Sequence, residues 1–156
     1  NFWDFLFPTL SFLPRSMAQP WRRLPIQIRF NDVDRLGHVN NNSYFSYYDL
    51  GKEEYLNNIL KVDYHTQDVA PVIANINADF IEPIFYGDEI VVETRVCHVG
   101  QKSFTLEQQA VNERTGRTVC RCKTVMVCIS MSQQCSVEIP ATYRAAFLAE
   151  QAQAND

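Results

Sequence analysis

Apolar residues recur along this chain with two different periods. From Tyr44 to Lys61 they return every three or four positions. Tyr44, Tyr48, Gly51, Tyr55 and Ile59 fall on one face, broadened by Phe45, Leu56 and Leu60. That pattern predicts one long helix with a wide buried stripe. A glycine inside it costs about 1 kcal/mol against alanine, so Gly51 is expected to admit a close strand backbone. From Pro71 onward the period drops to two. Val72, Ala74, Ile76, Ala78 and Phe80 alternate with Ile73, Asn75, Asn77, Asp79 and Ile81. Further strands are predicted over Glu89 to Val99, Lys102 to Asn112 and Thr118 to Met131. They are separated by turns at Tyr86-Gly87-Asp88, Gly100-Gln101 and Glu113-Arg114-Thr115-Gly116. Consecutive hairpins make an antiparallel sheet. Ahead of the helix, Pro20 to Pro25 reads as a linker and Ile26 to Phe30 as a first strand. Pro140 to Ala149 reads as a closing helix with Tyr143, Phe147 and Leu148 on one side. One long helix against such a sheet is an α+β layer fold.

The chain has 156 residues, enough for one domain with a real core. Two stretches are distinguished: an apolar N-terminal leader or extension at 1–22 and a folded domain at 23–150. Phe2, Trp3, Phe5, Leu6, Phe7, Leu10, Phe12 and Leu13 make the leader very apolar. It lacks a basic start and a small-residue cleavage site, and it is too short to span a bilayer. Two readings stand: Met17 is the natural start, or the segment packs on protein or on a membrane surface. No transmembrane segment is expected.

Fourteen basic against eighteen acidic residues give a net charge of −4, so there is no electrostatic case for a nucleic-acid partner. The cysteines are Cys97, Cys120, Cys122, Cys128 and Cys135. Their number is odd and their spacing irregular, which does not suit a secreted disulfide framework. On an alternating strand Cys120, Cys122, Met126 and Cys128 share a face and read as small core residues. A reducing, cytoplasmic setting follows.

The chemistry concentrates between the first strand and the helix. The stretch Phe30-Asn31-Asp32-Val33-Asp34-Arg35-Leu36-Gly37-His38-Val39-Asn40-Asn41-Asn42-Ser43-Tyr44 holds two aspartates, a glycine, a histidine and three successive asparagines. Asn40, Asn41 or Asn42 can cap the helix. The remaining first-turn N–H groups are unpaired at the positive end of the helix dipole, where a developing oxyanion is stabilised. Gly37 allows close approach to the backbone, and Asp34 reaches the same space. One loop thus offers a carboxylate and amide donors, the parts needed to attack a carbonyl and hold the resulting oxyanion.

The run Asp32-Val33-Asp34-Arg35-Leu36-Gly37-His38-Val39-Asn40-Asn41, followed by Tyr44, resembles the signature of hotdog-fold acyl-CoA thioesterases, the group that includes 4-hydroxybenzoyl-CoA thioesterase. The resemblance extends from about Arg23 to Phe147. It implies an antiparallel sheet wrapped around one central helix. It also implies Asp34 as the catalytic carboxylate and a helix-start N–H near Asn40 and Asn41 as the donor to the thioester carbonyl. The Gly-His-Val-Asn-Asn form is also similar to plant acyl-carrier-protein thioesterases, in which an aspartate, an asparagine and a histidine act together. Asp34 and His38 match that set, while Leu36 stands in the asparagine's place. Tyr44, Tyr47 and Tyr48 are candidates for an acyl pocket, with plain core packing as the other reading. By the same resemblance Lys102 and Ser103 correspond to residues that contact coenzyme A phosphates, with a strand-start turn bearing a solvated lysine as the other reading. Arg121 and Lys123 are further phosphate candidates, or a solvated face. In a second branch of the family a helix carboxylate is the nucleophile, and Asp49 stands there. Pairing of Asp49 with Lys52 is the preferred reading.

The resemblance therefore implies a hydrolase acting on an acyl-CoA or carrier-protein thioester, without metal or cofactor, in a homodimer or homotetramer with sites shared between protomers. The rivals are an acyl-thioester binding module without turnover and a hydratase or dehydratase.

Overall fold

The computed structural model describes residues 21–153. The leader at 1–20 lies outside the described residues. Five strands form one antiparallel sheet in the order β1-β3-β4-β5-β2, with a two-residue sixth strand on β5. They are β1 (Arg22–Ile26), β2 (Val69–Phe80), β3 (Ile90–Val99), β4 (Ser103–Asn112), β5 (Arg117–Ser130) and β6 (Cys135–Ser136). Helix α1 (Asn41–Leu60) lies across one face, and α2 (Ala141–Ala152) closes the far end. The α+β expectation and all four long hairpin strands hold.

The first strand is displaced from its expected place. The linker reading of Pro20 to Pro25 and the strand reading of Ile26 to Phe30 are both corrected: β1 is Arg22–Ile26, and Phe30–Asp32 is a turn of 3₁₀ helix. Two arginines and a proline obscured it. Arg22 is held by buried Glu150 at 2.7 Å, and Arg23 by buried Glu93 at 3.0 Å. Pro25 is tolerated because β1 is an edge strand.

Helix α1 buries Tyr44, Tyr47, Tyr48, Gly51, Tyr55, Leu56 and Ile59; Tyr47 joins the expected stripe, while its Phe45 and Leu60 are only half-buried. It ends where Lys61 turns left-handed at φ 54° and donates its N–H to Asn57 O. At Gly51 the helix comes close to the sheet, but side chains approach it rather than a backbone. A Cβ there would lie 2.5 Å from Val92 Cγ1 and 3.2 Å from Gln108 Nε2. Gln108 is itself buried and donates to Tyr48 O and to Thr94 Oγ1.

The strict alternation expected of β2 breaks at Ala74. Ile73 is paired with Met126, whereas Asn75 is paired with Val125, so one residue is bulged out. Residues directly opposite share a face. The face toward the core therefore runs Pro71, Ile73, Ile76, Ala78, Phe80, opposite Cys128, Met126, Thr124, Cys122 and Cys120. Those five β5 residues are all buried, as the sequence required of its cysteines. Beyond β2 the sheet has no further neighbour among the described residues. On α2, Tyr143 and Phe147 are buried and Phe147 stacks on Phe104 at 4.3 Å, but Leu148 is about half exposed and leaves the expected stripe. No helix among the described residues is long and apolar enough to cross a membrane.

Candidate active site

The polar stretch folds as a small hairpin perched on the tip of α1. Val33 and Val39 form a bridge. Inside it, Asp34 N donates to His38 O at 3.1 Å and Gly37 N donates to Asp34 O at 3.0 Å. Gly37 has φ +83°, the left-handed residue that a three-residue hairpin loop requires. The turn thus needs Gly37 for its own geometry, and the space around the missing Cβ is open. Val39 is fully buried and donates its N–H to Ile84 O at 2.7 Å, pinning the hairpin to the β2–β3 connection.

Within this frame the Asp34 carboxylate has two partners. Its Oδ1 accepts from Leu36 N at 2.8 Å, an Asx turn. Its Oδ2 accepts from Asn40 Nδ2 at 3.1 Å. Asn40 is the N-cap of α1, and its Oδ1 accepts from Asn42 N at 2.9 Å. Of the three possible caps, the first is the one used.

The capping geometry narrows the donor set. Asn40 N donates to Asp32 O at 2.8 Å and Ser43 N to Asn40 O at 2.9 Å, while Asn42 N is taken by the cap. The expectation of open amides at both Asn40 and Asn41 is corrected to this extent: the Asn40 N–H is engaged. The Asn41 N–H cannot pair within the helix and has no protein acceptor among the described residues. His38 sits half-buried on the same hairpin, with Nδ1 3.3 Å from Val39 O.

The first aspartate of the Asp-x-Asp pair has a different environment. Asp32 is buried and accepts from Arg29 N at 2.9 Å, from the Arg29 guanidinium at 2.9 Å and from the Tyr47 hydroxyl at 2.7 Å. Burial alone would raise its pKa, but those donors outweigh it and hold the carboxyl below its ordinary range. Tyr47 is pushed upward by burial and by this same carboxylate. Asp32, Arg29 and Tyr47 form a brace beneath Asp34. Sequence reasoning missed it, because Tyr47 reads as a pocket or core aromatic and nothing in the pattern shows its hydroxyl reaching a carboxylate.

The remaining candidates lie elsewhere. Tyr44 is buried and meets Phe80 edge-on at 5.1 Å, and burial raises its hydroxyl to about 12. Tyr48 is buried in the same cluster as Cys120, with no hydrogen-bond partner for its hydroxyl among the described residues. Both are core side chains in the single chain. Lys102 and Ser103 sit at the β3–β4 turn, beside the C-terminal half of α1, and Lys102 Nζ is 3.2 Å from Ser136 O. Helix α1 has 20 residues. It is therefore roughly 30 Å long, which separates that turn from Asp34. Arg121 and Lys123 are exposed on the outer face of the sheet. Asp49 is exposed and pairs with Lys52 at 2.6 Å, as preferred. Clefts of about 680 and 810 Å³ flank β1, and neither is lined by Asp34.

Comparison with known proteins decides what this arrangement belongs to. The model of the thioesterase-like superfamily matches residues 28–147, which includes the whole hairpin and α1. The chain belongs to the thioesterase-like superfamily. Its fold is the hotdog fold, and its class of chemistry is thioester hydrolysis. The long-chain acyl-CoA thioesterase FadM of Escherichia coli K12 is 26% identical over 110 residues, which is 70% of this chain and 83% of FadM. A protein of Pseudomonas aeruginosa PAO1 superposes with a TM-score of 0.77 at 26% identity, covering 85% of this chain and 93% of that one. A thioesterase from Thermus thermophilus, in complex with coenzyme A and zinc, superposes with a TM-score of 0.73 at 27% identity, covering 83% and 93%.

Proposed function

We propose that this thioesterase hydrolyses acyl-CoA, with Asp34 as the reacting carboxylate and the Asn41 N–H as the donor to the thioester oxygen. The observation that carries this reading is the Asp34 carboxylate held by the N-cap residue Asn40, next to which stands the Asn41 N–H, left without a protein acceptor among the described residues. FadM is a long-chain acyl-CoA thioesterase and the Thermus thermophilus thioesterase holds coenzyme A, which supports the choice of thiol.

Two routes use the same groups. As nucleophile, Asp34 adds to the carbonyl carbon and the C–S bond breaks. The coenzyme A thiolate leaves, and water then cleaves the mixed anhydride to free acid and Asp34. As general base, Asp34 takes a proton from water as the water oxygen adds to the same carbon. Negative charge on the carbonyl oxygen is met by the Asn41 N–H and the helix dipole in either case. A thiol with a pKa of about 8.5 leaves without strong acid assistance. His38, on the same hairpin, is available to orient water or substrate.

The reading extends to assembly. Strand β2 has 12 residues and an outer edge without a partner among the described residues. Val72, Ile73, Phe80 and Ile81 on or beside it are 40–49% exposed. A long apolar edge is a template for pairing, and a second copy of the chain is the proposed occupant. A homodimer or homotetramer would also supply what the single chain lacks: walls for an acyl pocket, and a Lys102 and Ser103 brought to a neighbour's site. Five free thiols suit a reducing, cytoplasmic setting.

The deciding experiment is Asp34→Asn in a thiol-release assay on acyl-CoA. The variant is expected to keep its melting temperature and to lose hydrolysis by on the order of 10³-fold or more. Full activity would remove Asp34 from the chemistry. Oxygen-18 from labelled water entering Asp34 itself during single turnover would select the anhydride route.

A further inference from the structure

We infer that the side chain of Asn40 is a positioning residue that fixes the Asp34 carboxylate, and that this role is separable from its role as helix cap. The inference rests on the reading of Asp34 given above.

The argument is one of hydrogen-bond accounting. A side-chain amide has one acceptor oxygen and one donor NH₂. The Asn40 oxygen must be the atom facing Asn42 N, because that N–H can only donate; the distance is 2.9 Å. The orientation of the amide is thereby settled, and the NH₂ faces Asp34 Oδ2 at 3.1 Å. Asn40 is held by its main chain as well: its N–H goes to Asp32 O at 2.8 Å and its O receives Ser43 N at 2.9 Å. The donor presented to Asp34 is therefore fixed at one end by the helix and at the other by the Asp32 brace.

The second oxygen of Asp34 is held by its own turn, through Leu36 N at 2.8 Å. Each carboxylate oxygen thus has one fixed donor and one lone pair still free, which sets the direction in which the free lone pairs point. Without the Asn40 donor the carboxylate keeps only the bond to its own turn and can rotate about χ1 and χ2. A misplacement of about 1 Å costs on the order of 10²-fold in rate.

Capping alone does not require asparagine. Asn, Asp and Ser are nearly equivalent N-caps. Serine keeps an acceptor for Asn42 N but is too short to reach Asp34 and brings no amide. Aspartate keeps the cap and opposes Asp34 with a like charge.

Asn40→Ser and Asn40→Asp are therefore assayed beside Asp34→Asn, with thermal melts on the same samples. The expected result is an unchanged melting temperature for both Asn40 variants, with kcat lowered about 10- to 100-fold for Ser, more for Asp, and KM unchanged. Wild-type kcat in both Asn40 variants, with Asp34→Asn inactive, would overturn the inference and leave the function standing. A fall in kcat that only follows a fall in melting temperature, or a rise in KM at constant kcat, would also overturn it. An active Asp34→Asn would instead defeat the function on which it rests.

Discussion

Gly51 on the central helix and Val92 on β3 stand so close that a single added carbon on Gly51 would lie 2.5 Å from Val92 Cγ1. Helix propensity favours alanine at such a position by about 1 kcal/mol. Packing opposes it. Valine is branched at Cβ and fully buried here, so it has little freedom to withdraw. Gln108 and Thr94 crowd the same spot and are tied into a buried hydrogen-bond pair. Gly51→Ala is expected to destabilise the fold by about 1–3 kcal/mol, the range for overpacking. Urea unfolding would show it as a lower midpoint at constant slope.

The Asp32 brace gives a pH dependence with a definite sign. Its carboxyl lies below the ordinary value of 3.8 in the folded chain. The stability it contributes is therefore complete above that value and is lost as the pH falls through the lower, folded value. Tyr47→Phe removes one donor to a buried carboxylate and should cost about 1–3 kcal/mol near neutrality. Below about pH 4, where the unfolded carboxyl also binds a proton, the gap between wild type and variant should narrow. Denaturant melts of both proteins at pH 7 and pH 3 measure it.

Thiol chemistry should split the cysteines by burial. Cys97 and Cys135 are exposed, whereas Cys120, Cys122 and Cys128 are buried. Native protein is expected to react at two thiols with an aromatic disulfide reagent, and denatured protein at five. Mass spectrometry of the labelled chain identifies which.

If a second copy covers β2, a charge on its core-side face should separate the copies. Ile73 is 41% exposed and sits on that face at the bulge. Ile73→Lys is expected to yield monomer by light scattering. Hydrolysis should fall with dissociation, because in the proposed assembly the partner would supply walls of the acyl pocket.

The pattern of the sequence was enough for the helix, the hairpin strands and the buried face of β5, because each follows from a period that packing then enforces. What it could not reveal has local causes. The bulge at Ala74 is one residue of slippage in a run where both faces are apolar, so alternation carried no signal there. Strand β1 hid behind Arg22 and Arg23, whose charges are paired with Glu150, Glu93 and Glu113, all distant in sequence. In the polar loop, residue types pointed to a carboxylate beside a helix tip. They could not show that Asn40 spends its amide on Asp32, which leaves Asn41 as the remaining donor. Nor could they show that Lys102 and Ser103 belong to the other end of the helix.

Val39 hangs the polar hairpin from Ile84, four residues past the end of β2, by one short hydrogen bond from its N–H to the Ile84 carbonyl. The loop is thereby a rider on the sheet margin as much as on the helix. A twist imposed along that margin by a second copy would reach the hairpin that bears Asp34 through residues 81–84. Association and turnover would then draw on one shared coupling free energy, so a mutation that loosens either should be felt in the other.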